Sequence, residues 1–204
     1  MKKSAEKQER ALGIKLFLKG ERCSSPKCAM VRRPTRPGIH GRKRRRALTE
    51  YGEQLLEKQR LRVSYGLREA QLAKIVKEST EKTGAIGEAI INSLERQLSN
   101  AIFRLGLAAS RVIARQLINH GHLLVNGKKV TSPSYCVKVG DMISIKPSSQ
   151  KLLIFKDLSD KIKKYEPPAW LSLDREKLEG RVKSLPQNVE IIFDINLVVD
   201  YYSK

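Results

Sequence analysis

Two closely spaced thiols, three imidazoles and a large excess of cations are the groups in this sequence with chemistry to offer. Cys23 and Cys28 stand in ERCSSPKC at 21–28, with four residues between them. Two thiolates at short spacing supply half of a tetrahedral zinc site, which two further ligands must close. Cys136 belongs to a different part of the chain, and Glu6, Glu9 or His40 would complete a mixed set that structural zinc seldom uses. The other reading is a knuckle-like loop holding two small residues and no metal, and the residue types alone leave both open.

The cations fall into two groups. VRRPTRPGIHGRKRRR at 31–46 holds eight arginines and lysines (Arg32, Arg33, Arg36, Arg42, Lys43, Arg44, Arg45 and Arg46), with His40 among them and no acid. Such a run repels itself and stays extended. A solvated tail is the plain reading. The interleaved prolines and glycines suit instead a stiffened arm laid along a phosphate backbone. The second group lies in SRVIARQLINHGHLLVNGKKV at 110–130. There Ser110 can cap a short helix whose apolar face is Ile113, Ala114, Leu117 and Ile118, while Arg111, Arg115 and Asn119 share the opposite side. Gly121 suits a left-handed helix stop between His120 and His122, and the two histidines read as capping or phosphate-contacting groups rather than metal ligands. Asn126-Gly127 supplies both positive-φ residues of a type I′ turn, with Lys128 and Lys129 just past it.

Catalytic patterns are missing. The chain has no phosphate-binding loop of the Walker kind, no glycine-rich dinucleotide turn and no serine elbow, so an enzyme is not expected. The 204 residues carry 41 Lys and Arg against 21 Asp and Glu, a formal net charge of +20. That excess suits a polyanion, because cations that neutralise phosphates release condensed counterions. An anionic membrane surface is the weaker candidate: no apolar run approaches the roughly 20 residues that span a bilayer. MKKSAEKQER has no apolar segment resembling a signal peptide, and three cysteines make no disulfide framework, so a reducing, cytoplasmic setting is expected. Aromatics are 5% of residues, which argues against stacking on single-stranded bases as the main mode of binding.

The elements that must position these groups follow from periodicity. Residues 1–48 read as an irregular basic arm. Thr49 is a helix N-cap with Glu50 and Glu53 in the first turn, and helical spacing runs over 49–62 and again over 67–78. The stripe Ile90, Ile91, Leu94, Leu98, Ala101, Ile102 and Leu105 predicts one helix over 88–105, ended by Gly106. After 110–130, Val139-Gly140-Asp141 turns into the strand Met142–Ile145. Residues 151–164 read as a helix stopped by Pro167-Pro168, 170–173 as a strand, and 191–193 and 197–199 as short β-prone runs. The fold class is α+β.

The stretch SRVIARQLINHGHLLVNGKKVTSPSYCVKVGDMI resembles the RNA-binding module named after bacterial small-subunit ribosomal protein four. LFLKGERCSSPKCAM, RPGIHGRKRRR, YGEQLLEKQRLRVSYGLRE, PAWLSLD and the closing YYSK extend the resemblance to that ribosomal protein family over essentially the whole chain. The resemblance implies a mainly helical domain, 49–93 completed by 159–204, with the α+β module 94–158 inserted and the arm 1–48 in front. It implies a constituent of the small subunit in the cytoplasm that binds the 5′ domain of 16S RNA early in assembly. It further implies proximity to ribosomal protein five and to the mRNA where it enters, a functional link to ribosomal protein twelve in decoding accuracy, and no membrane. By position, Ser110, Arg111, Arg115, His120, His122, Asn126, Gly127, Lys128 and Lys129 fall on the module's RNA-facing side, and Arg42–Arg46 on the part near mRNA. Zinc-carrying members of the family have a second cysteine pair where this chain has Glu6 and Glu9, so no cofactor is expected here. Two alternatives share the module: a ribosome-assembly or stress factor that is not a subunit, and an RNA-modifying enzyme. The second would need a catalytic domain for which a module of about 60 residues leaves little chain.

Overall fold

The computed structural model describes residues 4–43, 47–81, 84–156, 158, 162, 165–187 and 189–203. They form two compact units, Met1–Ile90 with Glu190–Lys204, and Ile91–Val189.

The first unit is helical. Three short helices, α1 (Ala5–Leu12), α2 (Glu21–Ser24) and α3 (Ala29–Arg32), precede the long α4 (Glu50–Ser64) and α5 (Glu69–Thr80). The Thr49 hydroxyl accepts the Gly52 N–H at 3.2 Å, as the N-cap pattern predicts. The C-terminal helix α10 (Ile195–Ser203) packs on α4 and touches α5, while α1 packs on α3 and α4. Leu61, Leu72, Val76 and Val198 are buried among these helices. The arm expected to be irregular is thus partly helical, and Leu16, Leu18, Cys23 and Cys28 in it are buried. A net positive charge did not prevent this, because the arm's apolar side chains fall together once α1 turns back at Gly13.

Helix α6 (Ile86–Glu95) leads into the second unit, where α7 (Leu98–Arg104) and α8 (Arg111–Asn119) follow. The single helix expected over 88–105 breaks at Arg96-Gln97. The backbone there is drawn into pairing with 135–137: the Val137 N–H reaches the Arg96 carbonyl at 2.9 Å, and the Leu98 N–H reaches Tyr135 at 2.8 Å. The apolar stripe continues across the break, so periodicity alone could not reveal it. Beyond α8, β1 (Leu123–Val125), β2 (Lys128–Lys129), β3 (Met142–Ile145), β4 (Leu171–Asp174) and β5 (Glu179–Val182) make one antiparallel sheet in the order β2-β1-β3-β5-β4. One continuous core joins the sheet to Leu98, Ile102, Leu105, Ala114, Leu117 and Ile118.

Two expectations about the later chain change. Strands β4 and β5 extend the module's own sheet through β3, so 159–189 lies in the second unit and only Glu190–Lys204 returns to the first. The β-prone run Leu197-Val198-Val199 is helical within α10: the Asp194 carboxylate caps the Asn196 N–H at 3.0 Å, and Val198 is buried beside α4, so packing overrides propensity. Of the helix expected over 151–164, α9 (Leu153–Lys156) is described, with Phe155, Leu158 and Ile162 buried. No helix among the described residues is long and apolar enough to cross a membrane.

Candidate nucleic-acid interface

The second unit presents its cations from α8 and the β1–β2 hairpin. Helix α8 is seated by Ala114, Leu117 and Ile118, all buried, and by the Ser110 hydroxyl accepting the Ile113 N–H at 3.3 Å. Ser110, expected on the RNA-facing side, is only 1% exposed and is committed to this cap. Arg111 is half-buried: its Nε donates to Asn100 Oδ1 at 2.8 Å and its guanidinium stacks 4.6 Å from the Phe103 ring centre. Asn100 is itself fixed through the Glu95 carbonyl, and the fully buried Glu95 carboxylate takes both nitrogens of Arg104 at 3.1 and 3.2 Å. These contacts tie α8 to α7 and to the end of α6. Arg115 is half-exposed, while Gln116, Asn119 and His120 are exposed.

At the end of α8, Gly121 has φ of +72°, and a Cβ there would lie 2.2 Å from the Lys129 Cε. The left-handed stop is what favours glycine here, and the flexible end of the lysine lies across it. Lys128 and Lys129 are exposed, and neither pairs with a carboxylate among the described residues. The hairpin turn has Asn126 at φ +51° and Gly127 at +75°, as the Asn-Gly signal predicts. Asn126, expected to face RNA, spends its amide on the fold: Nδ2 donates to Asp141 Oδ1 at 2.8 Å and Oδ1 accepts the Met142 N–H at 2.9 Å. The other Asp141 oxygen accepts the Lys138 N–H at 2.8 Å. Asp141, which sequence reasoning took only for a turn residue, therefore ties the hairpin to β3. His122 Nδ1 meets the Ser149 hydroxyl at 3.0 Å, and the ring stands edge-on to Phe155, so it too is partly structural. The face left outward is His120, Asn119, Gln116, Lys128 and Lys129, with Arg115 beside them in sequence and Gly127 at the hairpin tip.

In the first unit, a cavity of about 620 Å³ opens between α1, α2 and α3. Lys7, Arg10, Arg22, Arg32 and Arg33 line it, with Glu6 the one acid. Glu6 is already engaged by Arg22 at 2.7 Å. Arg10 reaches across to the Thr35 and Arg36 carbonyls at 2.9 and 3.5 Å, holding the following loop in place. Lys7, Arg32 and Arg33 make no ion pair with a described residue, so cations converge on a concavity with little to neutralise them. Arg36, His40, Arg42 and Lys43 are exposed on the loop beyond, and Arg44, Arg45 and Arg46 lie outside the described residues. Lys7, Arg10 and Arg22 were not singled out from sequence. The i, i+3 spacing of Lys7 and Arg10 put them on one helix face, but only the fold brings Arg22 and Arg32 opposite.

The thiols lie in α2 and at the start of α3, beside the cavity. Cys23 and Cys28 are both buried and free. Glu9 Oε1 accepts the Leu16 and Leu18 N–H groups, each at 3.1 Å, and the Cys23 thiol faces Oε2 at 4.0 Å. Burial pushes the Cys23 thiol above its ordinary value; a hydrogen bond with the Lys19 backbone opposes this, and the Glu9 charge reinforces it. No group of three His, Cys, Asp or Glu among the described residues is arranged to hold an ion.

Residues 1–95 match the family model described as Ribosomal protein S4/S9 N-terminal domain, and 96–143 match the S4 domain. The small ribosomal subunit protein uS4 of Halothermothrix orenii is 46% identical over 194 residues, spanning 94% of this chain and 93% of the relative. The protein of that name in Thermus thermophilus is 44% identical over the same shares, and the one in Gloeobacter violaceus is 44% identical over 197 residues, 96% and 94% of the two chains.

Proposed function

The chain belongs to the uS4 family of small ribosomal subunit proteins, and on that premise we propose that it works as a primary binder of ribosomal RNA, holding the 5′ domain of 16S RNA and nucleating assembly of the subunit body in the cytoplasm. Its role is structural, not enzymatic. The observation that carries the reading is the pair of basic surfaces with few compensating acids: the outward face of α8 and its hairpin, and the cation-lined cavity between α1, α2 and α3. Folded RNA is read largely by shape and by phosphate and 2′-hydroxyl contacts, which rigidly mounted lysines and arginines can supply without aromatic stacking. Arg42–Arg46 and the loop before them are the part we assign to the neighbourhood of incoming mRNA. Contact with ribosomal protein five and a shared influence with protein twelve on decoding accuracy complete the reading.

Binding to a 5′-domain RNA fragment tests it directly. Lys128→Glu with Lys129→Glu is expected to weaken affinity at least about tenfold, because two phosphate contacts become repulsions. Unchanged affinity in a filter-binding assay, with the circular dichroism spectrum of the native protein, would reject the hairpin as an RNA contact. Co-sedimentation with small subunits in stoichiometric amount through high-salt sucrose gradients is expected of a subunit.

A further inference from the structure

The buried carboxyl group of Glu9 has no part in either basic surface, yet it makes three contacts with other parts of the N-terminal region. It is 1% exposed in α1, and three described segments meet at it: α1 itself, the 16–18 turn and the Cys23 helix. Oε1 collects the N–H groups of Leu16 and Leu18 at 3.1 Å each, and Oε2 faces the Cys23 thiol at 4.0 Å. Cys28, also 2% exposed, caps α3 by its backbone, accepting the Val31 and Arg32 N–H groups at 3.1 and 3.0 Å. Without an acceptor, the two leucine amides would be buried and unpaired, each at the desolvation cost of an orphaned donor.

We propose that Glu9 takes the place of a metal ion in this chain: one buried carboxylate gathers the Leu16–Leu18 turn and the Cys23 helix, so that residues 5–32 fold with no ion bound. The Leu16 and Leu18 amides need an acceptor at this position. The carboxylate satisfies those amides directly, and bonds to a charged acceptor are about twice as strong as neutral ones. Glu6 is withdrawn from any ligand set by its pairing with Arg22. Cys23 and Cys28 then serve as small buried side chains with free thiols. This holds whatever the neighbouring cations bind.

Three measurements on the full chain test it. Protein purified with zinc in the medium is expected to contain well under one zinc per chain, and stoichiometric zinc would overturn the proposal. Amide exchange at Leu16 and Leu18 should be slow in the native protein and unaffected by a chelator; a chelator that accelerates it also overturns the proposal. Glu9→Ala is expected to speed exchange at both amides at least about tenfold. Should that variant not fold, Glu9→Gln keeps an acceptor oxygen but loses the charge, and about a tenfold acceleration is again expected. Native exchange rates in the variant that folds would overturn the role assigned to Glu9.

Discussion

Lys58 sits on α4 with only 4% of its surface exposed, an unusual place for an ammonium group. Its Nζ donates to Glu69 at the start of α5 at 2.7 Å and lies 4.0 Å from the ring centre of Tyr201 on α10, while the Tyr202 hydroxyl donates to the same Glu69 oxygen at 2.9 Å. One residue thereby fastens three helices, and the closing YYSK acquires a physical reason. Lys58→Ala removes the hub: the two tyrosines lose the ammonium group, and Glu69 keeps its longer pairing with Arg62 at 3.6 Å. It is expected to cost about 1–3 kcal/mol in a urea titration. The pH dependence has a definite sign on each side. Burial opposes charge on both partners, but the hydrogen bonds win. Glu69 lies below its ordinary 4.5, held down by Lys58 and Tyr202, and Lys58 lies above its ordinary 10.5, held up by Glu69 and Tyr201. Glu69 contributes stability above about pH 4.5 and loses it as pH falls through its lowered value; Lys58 contributes below about 10.5 and loses it as pH rises through its raised value. Melting temperature should therefore be flat between and fall outside this window. Lys58→Ala should flatten both flanks.

Elements differ in how far the sequence discloses them. Helix α8 and its hairpin were legible almost residue by residue, because their signals are local: a serine cap, one apolar face, a glycine stop and an Asn-Gly turn. The break between α6 and α7 was not, because its cause is a strand-like segment about 40 residues away at 135–137. Strand β5 was hidden for a similar reason: Glu179-Gly180-Arg181-Val182 has little β character and becomes a strand by pairing with β3 and β4. The basic run at 31–46 gave two of the cavity's five cations, Arg32 and Arg33, while Lys7, Arg10 and Arg22 depend on how α1 and α2 fold back. Ser110 and Asn126 show the opposite limit: their positions matched a binding face, but their polar atoms are used by the fold. Gly180 turns the sheet's dependence on packing into a test. A Cβ there would stand 2.3 and 2.7 Å from the two δ-carbons of Leu105, whose side chain fills the space. Gly180→Ala must displace Leu105 from the core and is expected to destabilise the protein by about 1–3 kcal/mol. A companion substitution of Leu105 by Ala should recover part of that loss, since it opens the space the new methyl group needs; additive losses in denaturant melts would show the two sites to be uncoupled.

At the scale of the whole molecule, a net charge of +20 on 204 residues is a standing cost in self-repulsion that a bound polyanion relieves. Few acids are free to offset it at the two basic surfaces. Glu6 is held by Arg22 and Glu95 by Arg104, while Asp141 is tied to Asn126 and to the Lys138 backbone. The outward cations of the hairpin and the cavity are therefore available to phosphates, and binding should be driven largely by release of counterions. The affinity for a 5′-domain RNA fragment is then expected to fall linearly on a log–log plot against salt, by about 0.7–0.9 of a decade per decade for each phosphate contacted. With roughly six to ten contacts the loss between about 50 and 200 mM salt is on the order of 10³–10⁵ on the duplex-DNA scale. Replacing Lys7, Arg32 and Arg33 by glutamine should reduce that slope by about two to three while weakening binding to cognate and unrelated folded RNAs alike, as expected of side chains that meet phosphates and not bases. Lys128→Gln with Lys129→Gln should reduce it by about one to two. A slope unchanged by both sets of substitutions would mean that the contacts are made elsewhere on the chain; a nearly flat native profile would mean that binding does not run on charge.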